Sequence, residues 1–69
     1  KMPKYDPDAE ISSLSLTIPT WISSMKRTST ITDLSKASTG ALYKLEKQLI
    51  ALRDVIDTLQ QEIQEEYHE

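Results

Sequence analysis

Between Leu42 and Ile63, aliphatic residues recur at alternating spacings of three and four: Leu42, Leu45, Leu49, Leu52, Ile56, Leu59, Ile63. No other feature limits the fold so tightly. A helix on a globular surface needs only a broad apolar face of period 3.6, whereas a sustained mean spacing of 3.5 keeps a narrow stripe aligned along a supercoil. The repeat predicts an all-α protein whose C-terminal helix, residues 33–69, forms a short coiled coil with strict heptads over 42–63. With Leu42 at heptad position a, the a residues are Leu42, Leu49, Ile56 and Ile63, and the d residues are Leu45, Leu52, Leu59 and then Glu66, where the pattern fails. Val55 at g widens the stripe. The expected oligomer interface is therefore Leu42, Leu45, Leu49, Leu52, Val55, Ile56, Leu59 and Ile63.

That stripe needs something to pack against. Covering seven such side chains is worth on the order of 10 to 20 kcal/mol per helix before ordering entropy is subtracted, at roughly 1.5 to 3 kcal/mol each. A chain of 69 residues buries only a marginal core alone, and the usual staples are missing: there is no cysteine, and His68 is the single histidine. A second polypeptide is the remaining way to cover it. Ile56 and Ile63 at a with Leu59 at d favour a parallel dimer, with a trimer or tetramer as the alternatives because Leu42 and Leu49 at a do not select. The flanks are neutral in that arrangement. Position g carries Ala41, Gln48, Val55 and Glu62, and position e carries Glu46, Arg53, Gln60 and Tyr67, with no attractive pair between parallel chains.

Composition changes near residue 40, since all three prolines and fourteen of the fifteen Ser and Thr residues lie before that point. Residues 1–32 read as an arm that is either extended or a short helix. Asp6-Pro7-Asp8 suits a helix start, yet Ser13-Leu14-Ser15-Leu16-Thr17-Ile18-Pro19 alternates like a strand, leaving Pro19 to open a short helix over 19–27. Thr28-Ser29-Thr30 then reads as a linker. The long helix is expected to begin near Asp33, capped by Thr30, and a second register through Ile31, Leu34, Ser38 and Ala41 joins the main repeat by a stutter. Gly40 would weaken that segment.

Within the arm, residues 9–27 hold a second apolar cluster, Leu14, Leu16, Ile18, Trp21, Ile22 and Met25. It is expected either to bind a second protein or to pack back on the bundle. Lys26 and Arg27 precede Ser29 and Thr30, which makes those hydroxyls candidate phosphorylation sites, where a phosphate would lie near the N-terminus of the long helix.

Other classes of function are disfavoured. A formal charge of −3, with six acidic residues against Arg53 after Lys47, argues against nucleic acid. No apolar run approaches the roughly 20 residues of a membrane span, and there is no signal peptide, so the chain is expected to be intracellular, in no identifiable compartment. Glu65 and His68 have Glu-x-x-His spacing but fall at the outward positions c and f, so neither metal nor any other cofactor is expected. No nucleophile with a supporting base and no glycine-rich loop can be assembled, which makes an enzyme improbable. The expectation is a non-enzymatic multimerisation scaffold that self-associates and presents its arm. The alternative is a fragment of an obligate hetero-oligomer whose helix pairs with another coiled-coil chain.

Overall fold

The computed structural model describes residues 4–67; its regular elements are all helical, with no strand among the described residues. Two α-helices, α1 (Pro7–Ile31) and α2 (Thr39–Tyr67), flank a single turn of 3-10 helix, Leu34–Lys36. The chain divides into two units at Thr32 and Asp33.

The first helix starts where the sequence offers a complete set of N-terminal signals. Asp6 is the cap: its side chain accepts a hydrogen bond from the Asp8 amide at 3.1 Å, and its carbonyl takes the Glu10 amide at 3.2 Å. Pro7 fills the first helical position, where an amide hydrogen would have no partner, and Asp8 and Glu10 face the positive end of the peptide dipoles. This helix then runs for 25 residues, through Pro19 and through Thr28-Ser29-Thr30.

Three expectations are corrected here. The stretch Ser13–Pro19 is helical rather than strand-like, the helix is not confined to 19–27, and Thr28–Thr30 form its last turn rather than a linker. A lone strand would leave its backbone groups without a ladder, whereas a helix satisfies them within the segment. The alternation of Leu14, Leu16 and Ile18 is also outweighed by a longer pattern. Ile11, Leu14, Ile18, Trp21 and Met25 are spaced three, four, three, four and share one helical face with Ile22, while Leu16 stands off that face, 80% exposed. Pro19 removes one amide donor, so the Ser15 carbonyl has none in the helical ladder. One turn upstream the Thr17 hydroxyl donates to the Ser13 carbonyl at 2.9 Å.

The connection is built from two further caps. At Thr32 the backbone leaves the helix for an extended conformation (φ −93°, ψ 128°), its amide still donating to the Thr28 carbonyl at 3.2 Å. Asp33 then caps the 3-10 turn, with one carboxylate oxygen accepting both the Ser35 amide, at 3.1 Å, and the Ser35 hydroxyl, at 2.6 Å. Ala37 is extended again, and Ser38 caps α2 by accepting the Ala41 amide on its hydroxyl at 3.2 Å while its carbonyl takes the Leu42 amide at 3.0 Å. The long helix therefore begins at Thr39 instead of near Asp33, its cap is Ser38 rather than Thr30, and no stutter forms. The reason is local: Asp33 and Ser38 each satisfy a helix start with their own side chains, and Ile31, Leu34, Ser38 and Ala41 do not share one helix.

From Thr39 nothing interrupts the second helix for 29 residues, a rod about 43 Å long at roughly 1.5 Å per residue. Ala, Leu, Glu, Lys, Gln and Arg supply most of it, and Pro is absent.

Candidate interaction surface

Every one of the seven repeat positions lies on α2, and the 3,4 spacing places them along one side of it. None of the described residues is buried. Leu42, Leu45, Leu49, Leu59 and Ile63 are 37–44% exposed and Ile56 is 50% exposed, with Leu52 between exposed and buried near the middle of the stripe. These side chains shelter one another along the helix and retain a continuous outer surface. Val55 is the most open member of the expected interface, at 63%, and with Leu59 it forms a shallow apolar surface bordered by Asp54, Thr58 and Glu62.

The upper end of the stripe is extended by a residue that the heptad pattern did not place in the interface. Leu34, held by the Asp33-capped turn, lines the same shallow groove as Leu42, Leu45 and Leu49, with Thr39, Tyr43 and Glu46 at its edges. The Leu34–Leu42 spacing of eight belongs to no heptad. Only the turn between them brings Leu34 to the groove, and the sequence signal for that turn was the pair Asp33 and Ser35. Away from the stripe, Lys47 sits over the Tyr43 ring, 5.2 Å from its centre, a pairing of helix neighbours four residues apart.

The second candidate surface belongs to α1. Leu14, Ile18, Trp21, Ile22 and Met25 share its apolar face, joined by Ile11, which had not been singled out; Leu16, expected among them, stands outside. The signal for Ile11 was its spacing of three from Leu14, masked by the apparent strand alternation.

The candidate phosphorylation sites are relocated. Ser29 and Thr30 are exposed but occupy the last turn of α1, eight residues or more before α2 begins. A phosphate there would face the negative end of α1 rather than the positive end of α2, so the electrostatic reason for expecting it disappears. Among the described residues no group of His, Asp and Glu is arranged to hold a metal ion, and His68 lies outside the described residues. No helix among them is long and apolar enough to cross a membrane. Comparison with protein families, with curated proteins and with solved structures finds no match to this chain.

Proposed function

We propose that the chain is a non-enzymatic multimerisation module in which α2 associates with α2 of other copies through Leu42, Leu45, Leu49, Leu52, Ile56, Leu59 and Ile63. The single observation that carries this reading is an unbroken helix bearing all seven repeat positions with none of them buried within the chain. Such a stripe is stabilised when a second helix excludes water from it, by knobs-into-holes packing of the a and d residues. Each copy then displays α1, whose apolar face, which carries Trp21, is suited to lie in a groove of a second protein. Joining several α1 segments in one assembly raises their combined affinity for a multivalent target without any new contact.

Sedimentation equilibrium on the 69-residue chain, with circular dichroism at the same concentrations, tests the association. A mass of two or more chains and helicity that falls on dilution are expected. Replacing both Leu52 and Ile56 by Asp places two charges in the middle of the stripe and should dissociate the assembly and melt α2. A helical species of one-chain mass at high concentration would overturn the proposal. An unfolded chain that becomes helical only with a different coiled-coil protein would assign the stripe to a hetero-oligomer instead.

A further inference from the structure

The charges on α2 are strongly polar along its axis. Residues 39–53 carry Lys44, Lys47 and Arg53 against Glu46, a net of +2, whereas residues 54–67 carry Asp54, Asp57, Glu62, Glu65 and Glu66 with no base, a net of −5. Side by side and parallel, two copies would bring their acidic halves together. Reversed, each acidic half lies beside the partner's basic half.

From this polarity, and resting on the self-association proposed above, we infer that the second copy docks antiparallel, in the register that pairs Leu42 with the partner's Leu59, Leu45 with the partner's Ile56 and Leu49 with the partner's Leu52. In an antiparallel coiled coil each a residue meets a d residue of the facing chain, and e faces e while g faces g. The chosen register forms six such layers by symmetry. It also sets Glu46 beside the partner's Arg53, twice per dimer, the attractive flanking pair that parallel chains lack. Sliding the copies by one heptad gives an equal number of apolar layers but sets Arg53 against the partner's Arg53, so charge selects between the two registers.

The structure supplies a further reason. In the selected register Ile63 passes the last layer and arrives opposite the partner's Ser38, where the partner's helix has ended at its cap. Leu34 extends the apolar groove at that end. The partner's Leu34 there offers Ile63 an apolar contact that a bare helix end would not. Ile at a with Leu at d leans towards parallel chains, as does the in-register pairing of all seven stripe positions, but the Ile and Leu preference describes only the C-terminal part of the stripe, where the like charges are densest.

Because the chain has no cysteine, single-cysteine variants report orientation directly. Gln48→Cys and Val55→Cys chains, mixed under a glutathione redox buffer, should form the mixed disulfide, since these two g positions face each other in the selected register. Val55→Cys dimers linked to themselves would indicate the register one heptad away, and a Gln48→Cys chain linked to Arg53→Cys would indicate parallel chains; either overturns the inference and leaves the self-association intact. A chain that sediments as a monomer overturns both. Charge reversal gives an independent reading: Glu46→Arg and Arg53→Glu should each weaken the dimer about tenfold, and the double variant should recover most of the loss. Residues 46 and 53 are two turns apart on one helix, so the recovery cannot come from within a chain. Additive losses in the double variant would sink the antiparallel register.

Discussion

Gly40 occupies the second helical position of α2, with a negative backbone φ and open space where a Cβ would project. Nothing there requires glycine. The cost of glycine in a helix interior is correspondingly reduced in this first turn, and Gly40→Ala should raise stability by about 0.5 kcal/mol, chiefly by restricting the unfolded chain. Thermal denaturation at fixed protein concentration measures it. Two residues earlier the balance reverses. Ser38 holds the Ala41 amide, so Ser38→Ala should cost about 1 kcal/mol and lower the same transition, whereas Thr30→Ala should change little because Thr30 caps no helix start. On α1 the contrast is between Leu16 and Trp21. Leu16→Gln should leave both helicity and partner binding unchanged, since that side chain is off the apolar face, while Trp21→Ala removes the largest group on it.

Among the elements, α2 was almost wholly readable in advance, because seven aliphatic slots in one period admit a single local solution. Its beginning was not readable. Ile31, Leu34, Ser38 and Ala41 continued an acceptable apolar spacing, and only the competing side-chain caps at Asp33 and Ser38 decided that the backbone would turn. The first helix is obscured for a related reason: two periodicities overlap between Leu14 and Ile18, and Pro19 reads as a boundary although the ladders on either side of it carry the helix through. Pro19→Ala should therefore increase the stability of α1, by up to about 3 kcal/mol, the interior penalty of proline. Far-ultraviolet circular dichroism of the full chain and its variant would record it as a rise in residual helix at intermediate denaturant. The α2 interface could be proposed from spacing alone; Leu34, which the sequence puts on a second helical register, reaches the groove through the turn instead, and Ile11 needed the backbone to bring it into view.

For the molecule as a whole, the proposed self-association would make stability and association one quantity. With no buried residue in the described part of a single chain, the melting temperature should climb with protein concentration, as it does when the folded form is the associated one. A transition independent of concentration over a hundredfold range would contradict that. The antiparallel pairing inferred above predicts a salt dependence of definite sign. Raising ionic strength from low to about 1 M contracts the screening length from tens of ångströms to about 3 Å and should weaken an antiparallel pairing, whereas parallel chains, relieved of acidic repulsion, would tighten.

The proline within α1 and the unbroken ladder of α2 have a mechanical consequence. Where the Ser15 carbonyl lacks its amide, bending removes no hydrogen bond that is not already gone, so curvature concentrates at that spot when the segment meets a rounded surface. The other rod has no such crease. One half of the chain is then compliant and the other is a strut, and a bending load would be taken up first beside Pro19.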